Sequence, residues 1–127
     1  MSRVVFCHQD GSGVDLEYQR DLLHRGINLE YDVVGFEVAF MANGILAQWP
    51  TDTQLIQELK RLIDDGWISQ ILISQDICMK SMTRKYDGWG YAHILESLRS
   101  QFAAAGITAD NLARVMIDNP QRLLALV

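Results

Sequence analysis

The run Ile71-Leu-Ile-Ser-Gln-Asp76 is apolar at three successive positions without alternation, so it reads as a strand buried on both faces. Strands of that kind belong to parallel sheets covered by helices. Arg3-Val-Val-Phe-Cys7 gives a second strand signal, β-branched and aromatic with no breaker. A third runs from Ile27 to Val33, where Ile27, Leu29, Tyr31 and Val33 point one way and Asn28, Glu30 and Asp32 the other. A polar face inside a covered sheet points to a barrel lumen or the wall of a site.

Helices separate these strands. Asp10-Gly-Ser-Gly13 predicts a turn, followed by a helix with Leu16, Leu22 and Leu23 inward and His24-Arg25-Gly26 at its end. Gly35 to Pro50 predicts a long loop, unusually rich in Phe, Met, Val and Trp, of the sort that covers a pocket or another chain. Thr51 or Asp52 caps the clearest helix, in which Leu55, Ile56, Leu59, Leu62 and Ile63 form one stripe before Asp65-Gly66. After strand Gln70–Ser74 and the 77–90 loop, Ile94, Leu95, Leu98 and Phe102 mark a helix that stops at Gly106. Thr108 caps another, with Leu112, Val115 and Met116, and Asn119-Pro120 restarts a last short one. The order is β-α-β-α-β-α-α, with parallel strands if the crossovers are right-handed.

A chain of 127 residues makes one domain, 1–127, long enough to bury a core. The net charge of −5 and the lack of a basic run argue against a nucleic-acid partner. No apolar stretch reaches 18 residues, so no membrane partner is expected, and residues 1–7 are too short for a signal peptide. Cys7 and Cys78 form no CxxC pair and fit reduced thiols in a cytoplasmic protein.

Two strands end in chemically capable side chains, His8 and Asp76, on the carboxyl edge where α/β folds build their sites. His8 reads as a metal ligand or as a strand-terminal histidine bonded to backbone. Asp76 reads as a ligand and proton-transfer group or as the cap of a turn. Asp10 is read as a turn former, His24 as a helix C-terminal cation and His93 as a structural hydrogen-bonding group. Lys80, Arg84, Tyr86 and Trp89 lie on the 77–90 loop, where Lys80, Tyr86 and Trp89 are candidates for substrate contact. Gly88 and Gly90 fit tight loop closure better than an anion nest. The spacing of Cys7 and Cys78 matches no standard zinc pattern.

Several stretches together resemble the phosphotriesterase family of the amidohydrolase superfamily, including its lactonase and phosphotriesterase-related members. They are Val5-Phe-Cys-His-Gln-Asp10, the Leu16–Gly26 helix, Tyr31-Asp-Val-Val-Gly35 and Ser74-Gln-Asp-Ile-Cys-Met-Lys80. Gly88-Trp-Gly-Tyr-Ala-His-Ile-Leu95 and Asp118-Asn-Pro-Gln-Arg-Leu-Leu124 continue the likeness. The resemblance implies an α/β fold that is the C-terminal part of a (β/α)8 TIM barrel, with about strands 6–8 and the terminal helices. It implies a divalent metal cofactor, zinc above others and binuclear in a complete barrel. His8 would be the strand-6 metal ligand, and Asp76 the strand-8 carboxylate that binds metal and handles the proton of the bridging water. The reaction implied is hydrolysis of a small-molecule lactone, carboxylic ester or phosphotriester by metal-activated water.

The family's strand-1 His-x-His pair, the bridging group of strand 4 and the histidine of strand 5 have no counterpart here. A whole barrel needs roughly 250 residues. The expectation is therefore a chain inactive when isolated, with a complementing chain or self-association as its partner. The alternative is a non-catalytic α/β module that binds a partner or associates with itself, although such folds carry about five strands.

Overall fold

In the computed structural model, residues 3–12 and 15–126 are described. The expected turn at Asp10–Gly13 lies partly outside them, at Gly13. Three parallel strands, β1 (Val5–Phe6), β2 (Asn28–Tyr31) and β5 (Ile71–Ile73), form a sheet in the order β1-β2-β5. In register, Phe6 stands beside Leu29, and Leu29 beside Ile71. The positions in line with Leu29 and Tyr31 face the helices, and those in line with Asn28 and Glu30 face the opposite side.

The strands are shorter than the sequence signals because their flanking backbone groups bond elsewhere. The Val33 N–H goes to the Asp10 carboxylate at 2.5 Å. Before β5, the carbonyl of Ile68 accepts the side-chain amide of Asn119, which also reaches the Ile71 carbonyl, both at 2.7 Å. That amide ties the C-terminal helix to the amino end of the sheet.

α1 (Leu16–His24) connects β1 to β2, and α2 (Asp52–Asp64) connects β2 to β5. Thr51 is the N-cap of α2, in a full capping box with Gln54. The core lies between the sheet and these helices, with Leu23, Leu29, Tyr31, Leu55, Leu59, Leu62, Ile71 and Phe102 all nearly or fully buried. Burial of each such side chain contributes on the order of 1.5–3 kcal/mol, before the loss of chain entropy.

Two expectations need correction. Residues 35–50 are not an irregular loop: β3 (Ala39–Ala42) and β4 (Ile45–Gln48) form an antiparallel hairpin. Its tip, Asn43-Gly44, has positive φ at both residues (51° and 79°), the geometry of a type I′ turn. The helix expected from Ile94 to Phe102 is two pieces, α3 (His93–Ser97) and α4 (Arg99–Ala104), broken at Leu98. The last short helix is α6 (Asn119–Leu124), with Pro120 in its first turn as expected, and helical backbone leads into it without a break from α5 (Ala109–Ala113) through a π-helical segment, Arg114–Asp118. A proline ring clashes with the carbonyl four residues earlier, and the wider π turn before Pro120 relieves that clash.

Candidate active site

The residue after β1 starts the site. Cys7 faces the side opposite the helices, and the chain then turns sharply at His8, whose φ of 58° lies in the left-handed region. That conformation costs a non-glycine residue of order 1 kcal/mol or more and persists only where surroundings enforce it. Here one atom enforces it. Asp32 Oδ1, just beyond β2, accepts from the His8 backbone N–H at 3.1 Å and lies 2.8 Å from His8 Nδ1. With Nδ1 donating to the carboxylate, the lone pair on Nε2 points outward on a side chain that is 58% exposed.

The Asp32 carboxylate raises the His8 pKa from its ordinary value, by hydrogen bond first and charge second, with Asp76 and Asp10 adding to it and partial burial opposing it. Burial raises Asp32 itself above the usual carboxylate range, against the pull of its bonds to His8.

Asp76 follows β5, and its backbone N–H donates to the Asp32 carbonyl at 2.5 Å. Its exposed side chain lines the same pocket as His8, a cavity of about 210 Å³. The sequence expectation that these two strand ends meet is therefore fulfilled. The other walls are Phe36 and Trp49, at the two feet of the hairpin, with Val33, Cys78 and Met82. Phe36 sits between two indoles, 6.2 Å from Trp49 and 5.9 Å from Trp89, ring centre to ring centre.

The 77–90 loop is held by close backbone packing. A Cβ on Gly88 would stand 2.2 Å from the Met82 carbonyl carbon, so a side chain there has no room. Gly35 has φ of 88°, and a Cβ there would meet Trp89 at 2.6 Å. Trp89 accordingly packs behind Phe36 rather than in the pocket wall. Lys80 and Tyr86 are exposed and engage each other, the ammonium 4.5 Å from the ring centre. Neither lines the pocket.

A polar layer lies below the site on the face away from the helices. Glu30 accepts from the Ser74 hydroxyl at 2.8 Å and from the Cys7 thiol at 3.1 Å. The bond to Glu30, followed by burial, pushes the Cys7 thiol up to about 11. Ligand atoms of Cys7, Glu30 and Asp32 lie within 4.8 Å of one another. The alternation read from Asn28, Glu30 and Asp32 is thus a wall of paired polar groups.

Asp10 does more than form a turn. It is fully buried, accepts from the Val33 and Gly11 N–H groups, and is raised to about 6, mainly by burial. His93 has the structural role expected of it: Nε2 lies 2.7 Å from Asp52, whose other oxygen accepts from Gly35 N–H at 2.8 Å. His24 ends α1 with its ring edge-on to Trp67. Cys7 and Cys78 are both free. Phe36 and Trp49 are site residues that the sequence reading did not single out, and Asp32 was read only as part of the polar face lining a lumen or a site wall, not as the partner of His8. Tyr31-Asp32 at the end of a half-polar strand was the available signal for that role.

The likeness to known proteins follows the same outline. N-acetyltaurine hydrolase of Danio rerio is 36% identical over 124 residues, 98% of this chain but 36% of that protein. A resiniferatoxin-binding protein from Rhodobacter sphaeroides superposes with a TM-score of 0.87 at 31% identity, over 95% of this chain and 33% of that one. The phosphotriesterase homology protein of Escherichia coli shares the fold, at a TM-score of 0.80 and 22% identity, over 94% of this chain and 37% of its own. The chain spans about a third of the length of these relatives, and its three β/α units are part of a TIM barrel. With the Phosphotriesterase family model matching residues 1–124 and the strand-end residues His8 and Asp76 facing one pocket, the chain belongs to the phosphotriesterase family.

Proposed function

We propose that the chain supplies part of the active site of a metal-dependent hydrolase acting on a small molecule with an ester, lactone, phosphotriester or amide bond. The amide enters from the relative named N-acetyltaurine hydrolase. One observation carries the reading: the His8 imidazole and the Asp76 carboxylate meet at one pocket, and Asp32 fixes the imidazole through Nδ1. A histidine whose other ring nitrogen is held by a carboxylate is the usual form of a metal ligand.

The donor set fits part of a metal centre. An outward Nε2 and a free carboxylate suit zinc or a similar divalent ion, and a working centre needs more ligands than these two. When bound, the metal supplies an acidified water and positive charge against a developing oxyanion. The chain's own residues do the rest. His8 is held in one orientation by Asp32, so little rotamer freedom is lost on ligation. Asp76, exposed at the pocket edge, takes the proton released in the reaction. Phe36 and Trp49 exclude water from one side and seat the apolar part of the substrate. Lys80 and Tyr86, outside the pocket wall, attract or orient a substrate on its way in.

The ligands still needed lie in the barrel portion that the relatives carry beyond the matched stretch. Purified chain with zinc or manganese should not turn over a panel of lactones, esters, phosphotriesters and N-acetyltaurine. Assembled with that complementing portion it should, and Asp76→Asn should lower kcat at least about 100-fold, the range of a lost proton-transfer group. Turnover by the isolated chain would refute the need for completion. Turnover indifferent to Asp76→Asn would refute the site.

A further inference from the structure

Two cavities meet at Trp49. One is the pocket of about 210 Å³ that His8 and Asp76 share. The other, about 170 Å³, opens between the hairpin and the turn after His8, and is lined by Gly11, Phe40, Ala47, Gln48 and Pro50. Among the described residues Trp49 alone lines both.

The indole is held in that place from several directions. Its backbone N–H donates to the Val38 carbonyl at 3.0 Å and closes the feet of the hairpin. Its six-membered ring lies against the Gly11 backbone, where a Cβ would fall 2.3 Å from Cζ3. Phe36 meets it edge-on at 6.2 Å between ring centres, and Phe36 is backed in turn by Trp89, which packs on Gly35. A ring clamped between backbone and a second aromatic does not swing aside freely, so it acts as a wall.

The second cavity has the chemistry of an acyl or alkyl subsite. From Val38 to Thr51 the chain carries no ionisable side chain. Glu37, just before that run, is engaged by the Asp52 N–H at 2.6 Å. The cations of the 77–90 loop are engaged too, Lys80 with the Tyr86 ring and Arg84 with Glu96. An anionic tail therefore finds no partner there among the described residues, whereas an uncharged one gains by leaving water.

We propose that Trp49 sets the length of the uncharged acyl or alkyl group that the site accepts. Short groups end at the indole, and the cavity beyond it is an extension of the same subsite that the indole shuts off. This rests on the reading of the site as that of a small-molecule hydrolase, but it concerns the fit of the substrate and not the chemistry.

The test is binding of γ-lactones with straight alkyl tails of increasing length to the metal-free full chain, read by ligand-observed NMR. For the wild-type chain, affinity should stop rising at a short tail. With Trp49→Ala it should keep rising, roughly fourfold for each further methylene taken out of water. Gly11→Ala, whose methyl displaces the indole, should lift the limit as well, and it serves where Trp49→Ala does not fold. Trp49→Phe keeps a ring and should stay close to the wild-type limit. Ala47→Phe in the Trp49→Ala background fills the cavity from the hairpin side and should restore the limit. A tail ending in a carboxylate should gain nothing from Trp49→Ala. Circular dichroism reports that each variant folds.

Equal dependence on tail length in the wild type and in the variants that remove or displace the indole overturns the proposal. A limit lifted just as far by Trp49→Phe does so too, as does a gain that Ala47→Phe leaves intact, since that gain would come from a loosened hairpin. Absence of binding at every tail length also overturns it. A limit set by Trp49 in a chain whose completed barrel hydrolyses none of these lactones supports the subsite and counts against the hydrolase reading alone.

Discussion

A single carboxylate oxygen decides how His8 is presented. Asp32 Oδ1 bonds both the backbone and the ring of His8, and so holds a non-glycine residue at positive φ. Asp32→Asn keeps the shape and removes the charge. The His8 pKa should then fall toward its ordinary value in an NMR titration, and an unchanged pKa would show that Asp32 is not its cause. The linked stability has a definite sign. With the folded-state pKa raised, the His8–Asp32 pair contributes fully below the unfolded-state value and is lost as pH rises through the folded one. Glu58 presents the opposite chemistry. Its two oxygens are buried on α2 with no hydrogen-bond partner among the described residues, and burial raises its pKa to about 7, with Arg61 opposing the rise and Asp10 adding to it. The neutral acid is the form the fold accepts, so its stability is intact below the unfolded-state value, falls as pH rises from there through about 7, and levels off above it. Glu58→Gln should therefore stabilise the chain at pH 8 by about 2 kcal/mol and change little at pH 4, in thermal melts at the two values. Equal effects at both pH values would contradict the assignment.

Among the elements, the hairpin β3–β4 was legible in part. Asn43-Gly44 between apolar runs is a strong hairpin signal. Phe40-Met41-Ala42 and Ile45-Leu46-Ala47 do not alternate in polarity, however, and so resembled a sticky loop. The reason is visible in the structure: Phe40, Met41, Ile45 and Leu46 are all exposed, on both faces of the ribbon, so no buried side imposed an alternation. Gly44→Val should cost about 1 kcal/mol or more at the tip and open residues 39–48 to proteolysis, while the melting of the core stays in place. Protection equal to wild type would mean that the turn is not what holds the hairpin. The breaks at Leu98 and at 114–118 left no periodic signal, because a π turn shifts the stripe by less than one position. The 77–90 loop depends on Gly88. Gly88→Ala drives a methyl into the Met82 carbonyl and should destabilise by about 2–3 kcal/mol in denaturant unfolding. A neutral effect would show that the loop backbone yields easily.

At the scale of the whole molecule, the alternation of strands and helices was readable from periodicity, and the convergence of His8 and Asp76 from their places at strand ends. The paired wall of Cys7, Glu30 and Ser74 was readable as a polar face but not as a set of partners, since Cys7 and Ser74 come from different strands. Phe36 and Trp49 were hidden because their meeting depends on hairpin closure across 13 residues of chain. Among the described residues the parallel sheet has three strands with both outer edges unpaired, and the chain spans about a third of the length of its relatives. The most direct measurement is metal content and mass together, by light scattering and elemental analysis, on the purified chain and on its complex with the complementing barrel portion. The complex should carry about two metal ions per barrel, the number of a two-metal hydrolytic centre, and lose at least one on His8→Ala, while the chain alone carries no stoichiometric metal. Full, tight metal occupancy in the isolated chain, or a complex whose metal content ignores His8→Ala, would contradict the account.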